Sequence, residues 1–225
     1  MRAVLFDVGG PLDTEVTGER MIDEAIIAGL RDAGFAVTPA QYAAANALAV
    51  RTFAPNAYTA IIFELCDRDP EVTRRIRANL ETRVSGRRPF ELRDGIAGVL
   101  AWLFGRGLKL GLAANQPASA IARLDEAGIG GYFHHREVTG VHGFHKPDVR
   151  VFLRACEGLG VAPDACIMVG DRIDNDIAPA RMLGMRTVLF RTGRHIEQQP
   201  RTPDEMPDAE VRDAVELRAA LERLL

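Results

Sequence analysis

Four short stretches of this 225-residue sequence carry residue types that can do chemistry together. They are Phe6-Asp7-Val8-Gly9-Gly10, Leu112-Ala113-Ala114-Asn115, Gly143-Phe144-His145-Lys146-Pro147-Asp148 and Val169-Gly170-Asp171-Arg172-Ile173-Asp174-Asn175-Asp176. Between them they offer a carboxylate, an amide, an ammonium and an acidic cluster. Brought into one pocket, that set holds a divalent cation and a phosphate at once: carboxylate oxygens suit a hard cation such as Mg²⁺, and a lysine with backbone N–H groups neutralises phosphate oxygens. Each residue taken singly has a plainer reading. Asp7 is then a loop aspartate capping a helix, Lys146 a solvated surface lysine, and Asp174, Asn175 and Asp176 caps for a helix that starts near Ile177. The order of the four stretches along the chain favours the joint reading.

For the stretches to meet, strands must carry them to one edge of a sheet. Ala3 to Phe6 is a short, apolar, branched and aromatic run ending in loop chemistry, Asp7 to Pro11, and reads as a buried strand delivering Asp7 at its carboxyl end. From about Thr17 to Val84 the periodicity is helical, with Pro39, Pro55 and Pro70 as boundaries, which predicts an insert of about four helices. Ser85 to Pro89 reads as the return hinge. Beyond it, helices (96–104, 118–127, 149–158, 177–183) alternate with strands (108–113, 166–169, 187–190), and the strands lack polar alternation. That pattern predicts a doubly wound parallel α/β sheet, with ligands at the carboxyl ends of its strands. The expected domains are residues 1–15 with 88–225 as the α/β core, and residues 16–87 as an all-helical insert. Residues 194–207 read as a polar surface loop, before a short strand-like piece and a closing helix over 216–225.

The bulk numbers narrow the function. A net charge of −3, with 47% hydrophobic and 26% charged residues, offers no basic face for nucleic acid. The first apolar run meets Asp7 too soon for a signal peptide, and no stretch approaches a membrane span. Cys66, Cys156 and Cys166 follow no metal spacing and read as reduced, packed thiols, which suits a cytoplasmic protein. His134, His135, His142 and His145 lack a partner cysteine or an HExxH pattern, so they read as a histidine-rich loop. The glycines at 9, 10 and 170 do not form a GxGxxG fingerprint. Trp102 reads as helix–sheet packing, and Arg172 and Asp174 as structural or solvent-facing rather than catalytic. Asp13 and Glu15 read as solvated linker charges, with a proton-donor role as the sharper alternative.

The stretch Gly170 to Ile177, with Lys146-Pro147-Asp148 before it and Asp7 at the first strand, resembles the haloacid dehalogenase-like hydrolase superfamily along nearly the whole chain. The resemblance implies that residues 16–87 form a helical cap and that Asp7 is a nucleophile forming an aspartyl ester that water later hydrolyses. It implies that Lys146 holds Asp7 and the transferring group, and that Ala114 and Asn115 line the phosphate site. It further implies a metal site of Asp7, the Gly9 carbonyl and Asp171, with Asp176 binding through water or orienting Lys146. Two positions depart from the family pattern. Gly9 stands where an aspartate general acid/base is usual, a loss ordinarily worth about 10²–10⁴-fold in rate. Ala114 stands where a serine or threonine is usual. The expected function is therefore a Mg²⁺-dependent phosphatase of a small phosphorylated metabolite, acting as a monomer or homodimer. Two alternatives remain open: a 2-haloacid dehalogenase, whose halide leaves without a proton, and a phosphate-binding module that has lost turnover.

Overall fold

The computed structural model describes residues 1–84 and 88–225, except for the side chain of Glu81. The hinge expected at Ser85 to Pro89 and the domain boundary at 87/88 lie for the most part outside the described residues. Two compact units emerge, one of Met1–Thr14 with Phe90–Leu225 and one of Glu15–Pro89.

The first unit is built on five strands: β1 (Ala3–Phe6), β2 (Lys109–Leu112), β3 (Cys166–Gly170), β4 (Arg186–Phe190) and β5 (Ala209–Val211). Their order is β2-β1-β3-β4-β5, every neighbouring pair is parallel, and Phe6 lies in register with both Leu112 and Val169. The chain runs from β1 to β2 on one side and then crosses to β3 on the other, and this reversal of strand order puts a crevice beyond the carboxyl end of β1. Asp7 is the first residue there.

Successive residues of β1 feed opposite faces of the sheet, as strand geometry requires. Val4 and Phe6 join a core with Leu100 and Leu103 of α5 (Ile96–Gly105), Leu124 of α6 (Ser119–Glu126), and Leu217 and Leu221 at the closing helix. Ala3 and Leu5 join a second core with Phe152 and Ala155, further along the chain. All four β1 residues are fully buried, so the strand shows no polar alternation. Each large apolar side chain buried this way contributes about 1.5–3 kcal/mol. Helices α7 (Thr139–His142), α8 (Arg150–Leu159), α9 (Ala178–Met182) and α10 (Ala214–Leu224) complete the unit. The α10 start is fixed by Asp213, whose Oδ1 accepts the N–H groups of Val215 and Glu216.

The second unit holds α1 (Val16–Asp32), α2 (Pro39–Arg51), α3 (Ala57–Leu65) and α4 (Pro70–Val84). Thr38 and Gln41 form a capping box ahead of α2, with Pro39 at the first helical position, and Asn56 caps α3. Ile22, Ile26, Leu30, Ile61, Ile62 and Leu80 fill this unit's own core.

Three expectations are corrected. The segment 194–207 is not simply a surface loop: Gln198 is 1% and Glu205 8% exposed. Gln198 is drawn inward because its Oε1 accepts the Ile173 N–H and its Nε2 donates to Asp174. Part of the histidine-rich stretch is also not free loop, since His135 pairs with Gly111 along the free edge of β2. Asp13 is not a solvated linker charge. It is 7% exposed, and its Oδ1 accepts the Glu91 N–H at 3.0 Å, because the outgoing and returning connectors pair with each other there. Among the described residues no helix is long and apolar enough to cross a membrane.

Candidate active site

The site is assembled at the carboxyl ends of β1 and β3. Asp7 leaves β1 with its N–H on the Val169 carbonyl at 2.9 Å, and its Oδ1 accepts the Val8 N–H at 2.7 Å. That leaves Oδ2 facing the Lys146 ammonium at 2.8 Å. The same ammonium donates to Asp176 Oδ1 at 2.6 Å, and Asp176 Oδ2 accepts the Arg172 N–H at 2.9 Å. Asp176 belongs to a π-helical turn, Ile173–Ile177, that runs into α9. Its carboxyl packs so closely under Gly170 that a Cβ there would come within 2.3 Å of it, which makes position 170 a glycine by contact.

The carboxylates of Asp7, Asp171 and Asp176 present oxygens that all lie within 4.8 Å of one another. Two of the three, Asp7 and Asp176, pair with the Lys146 ammonium. An all-oxygen donor set of this kind fits a hard divalent cation. Burial alone would pull the Lys146 ammonium down, but Asp176 and Asp7 outweigh it and hold the group above its ordinary value. Burial raises the Asp176 carboxyl to about 6, with Lys146 opposing and the Asp7 charge adding to the rise.

Asn115 does something that sequence reasoning did not assign to it. Its Oδ1 accepts the Lys146 N–H at 2.7 Å and its Nδ2 donates to the Lys146 carbonyl at 3.0 Å. The amide thus clamps the main chain of the residue whose ammonium bridges the two aspartates. Thr139, at the start of α7, sits behind it: its hydroxyl donates to the Phe144 carbonyl at 2.7 Å and lies 3.1 Å from Asn115 Oδ1. Its N–H donates to the Ala114 carbonyl. A lone threonine between two motifs gives no sequence signal for this role.

The first loop is held differently. Gly10 has φ +82, and a Cβ on it would lie 2.7 Å from Asp171 Cβ, so the loop presses against Asp171 through a position open only to glycine. The Gly10 N–H donates to the Asp13 carbonyl, and Gly9 pairs with Asp13. Asp13 is therefore part of the loop's frame. Arg172 pairs with Asp174, whose Oδ1 also takes the Gln198 amide, so both are committed to holding the turn that carries Asp171 and Asp176.

The site thus combines a parallel α/β sheet, an aspartate at the end of the first strand, a lysine that bridges it to a second aspartate, and an acidic turn after the third strand. The chain belongs to the haloacid dehalogenase-like hydrolases, whose family description matches residues 1–184. Similar proteins include a glyceraldehyde 3-phosphate phosphatase of Methanopyrus kandleri, 37% identical over 106 residues that make up 47% of this chain and 46% of that one. A phosphoserine phosphatase of Thermus thermophilus is 35% identical over 132 residues, 58% of this chain and 51% of that one. The chain thus spans about half the length of these curated relatives, 46% and 51%. Among solved structures, a HAD phosphatase of Thermococcus onnurineus superposes with a TM-score of 0.63 at 26% identity, covering 98% of each chain.

Proposed function

We propose that this chain is a Mg²⁺-dependent phosphatase of small phosphorylated metabolites. The observation that carries the reading is the Asp7 Oδ2–Lys146 ion pair at 2.8 Å inside a cluster of three carboxylates. The haloacid dehalogenase-like family membership and two relatives named as phosphatases support it. The cap role that the resemblance implies for residues 16–87 is part of this proposal.

In this reading Asp7 Oδ2 attacks phosphorus, the bond from phosphorus to the leaving oxygen breaks, and an aspartyl phosphate forms. Water then attacks that phosphorus, phosphate departs, and the Asp7 carboxylate is restored. Lys146 neutralises charge that gathers on the phosphoryl oxygens and holds the Asp7 carboxylate in place through their ion pair. Asn115 keeps Lys146 in place. Asp7, Asp171 and the Gly9 carbonyl would hold the Mg²⁺, with Asp176 behind them, and the bound cation would offset negative charge on the phosphoryl group. With glycine at position 9 the leaving oxygen takes its proton from water, so rates follow the acidity of the leaving group.

Phosphate release should be measured over a panel of acyl, aryl and alkyl monophosphates, with and without Mg²⁺, for the unaltered protein and for Asp7→Asn. The expected result is Mg²⁺-dependent release, acyl and aryl ahead of alkyl, that falls to background in Asp7→Asn. Equal residual release by both proteins would establish a binding module instead. Halide release from 2-haloacids without added metal would establish a dehalogenase.

A further inference from the structure

We propose that Arg93 is a positioning residue for the carboxylate cluster, holding the first loop against Asp171 through the Gly10 carbonyl. This rests on the reading of Asp7, Asp171 and Asp176 as a divalent-cation site.

Arg93 Nε donates to the Gly10 carbonyl at 2.7 Å, and its Nη2 donates to Thr192 Oγ1 at 2.8 Å. The guanidinium lies 4.5 Å from the centre of the Phe190 ring, which is fully buried at the end of β4. Its backbone N–H donates to the Leu12 carbonyl at 2.8 Å. One residue therefore grips the first loop at two points and ties it to the segment after β4. An arginine fork can span two acceptors in this way, whereas a lysine ammonium is a point charge on a flexible stem.

The loop needs such a tie. Gly9 and Gly10 are the residues with the greatest backbone freedom, and no side chain of theirs can anchor it. A Cβ on Gly10 would also come within 2.7 Å of Asp171 Cβ, so there is room between them only for hydrogen. Displacing the Gly10 carbonyl therefore displaces a wall of the Asp171 side chain. Arg93 is also an electrostatic neighbour of the cluster: burial pulls its guanidinium down from its ordinary value, while the charges of Asp171 and Asp13 oppose that fall.

Charge and position make opposite predictions. If Arg93 acted only as a nearby positive charge, its removal would tighten cation binding. If it positions the loop, its removal weakens binding, and so does a lysine that keeps the charge and loses the fork.

The test is calorimetric binding of Mn²⁺ without substrate. The unaltered protein is compared with Arg93→Lys, Arg93→Ala, Thr192→Val and a control, Leu221→Ala, in the core at α10. Arg93→Lys and Arg93→Ala are expected to weaken Mn²⁺ binding by about 10-fold, the low end of what losing an outer supporting group of a metal site costs. Thr192→Val should weaken it less, and it decides the matter if the Arg93 variants do not fold. Leu221→Ala should lower the melting temperature and leave Mn²⁺ affinity unchanged. Unchanged or tighter binding in Arg93→Lys overturns the proposal, as does an equal loss in Leu221→Ala. If the unaltered protein binds no Mn²⁺, the cation-site reading falls and takes this inference with it; if it binds and the Arg93 variants match it, only the inference falls.

Discussion

Asp171 and Asp176 stand on one turn, yet their surroundings are built by opposite means. Asp176 is fully buried, hydrogen-bonded to the Lys146 ammonium and the Arg172 N–H, and backed by Asn115 through Lys146. Asp171 instead faces a loop of two glycines whose shape depends on carbonyls, on Asp13 and on Arg93. The first half is a network of paired charges in a dry setting, so losing one member strands another. The second half is a matter of backbone clearance, where adding a single atom does the harm.

The largest effect should come from breaking the first half. Lys146→Met leaves Asp176 and Asp7 facing each other without a cation, and breaking a buried pair from one side costs about 3–5 kcal/mol. Denaturant unfolding should show that loss, and phosphate release should vanish with it. A variant that keeps most of its stability would show that the two carboxylates share a proton or admit water.

The second half should respond to one added methyl. Gly10→Ala places a Cβ 2.7 Å from Asp171 Cβ in a backbone conformation at φ +82. Backbone strain of that kind costs about 1–3 kcal/mol. The Mg²⁺ concentration for half-maximal activity should rise more than the melting temperature falls. If only stability moves, the loop and Asp171 are not coupled, and the contrast between the halves loses its second term.

A smaller effect concerns the segment around His195, near Arg172 and Asp174. Burial pushes the His195 imidazole from its ordinary 6.5 down to about 3, with Arg172 and Arg194 adding to the fall and Asp174 opposing it. Above pH 6.5 both folded and unfolded chains carry the neutral ring, and the contribution of His195 to stability is intact. As pH drops from 6.5 toward 3 the unfolded chain takes up a proton that the folded one refuses, so stability falls. Unfolding free energies between pH 7 and pH 4, measured for the unaltered protein and for His195→Gln, should show a shallower acid slope in the variant. Parallel slopes would mean that the ring is protonated in the fold.

The same division decided what could be read in advance. The strands at Ala3–Phe6, Cys166–Gly170 and Arg186–Phe190 were legible because a parallel sheet covered on both faces leaves unbroken apolar runs. Asp7, Lys146, Asp171 and Asp176 were legible as candidates because their types and order are unusual together. Their mutual arrangement was not. A polar side chain buried against backbone groups has the same letter as one in water, which is why Asp13 and Gln198 were read as solvent-facing. Arg93 escaped notice for that reason, since its partners are a carbonyl and a hydroxyl far away in sequence. Asn115 was noticed for its amide, but only the geometry shows that amide turned to the Lys146 main chain.

The pairing between the connectors reaches beyond the site. The Thr14 N–H donates to the Glu91 carbonyl, the Arg93 N–H to Leu12, and the Glu91 N–H to Asp13. The chain therefore leaves and rejoins the sheet-bearing unit through a single stapled doorway. Closing a loop grows more costly only slowly with its length, and here the ends are already tied on the near side. The segment beyond the doorway is free to lengthen, shorten or be exchanged over evolutionary time while the sheet and its aspartates keep their register.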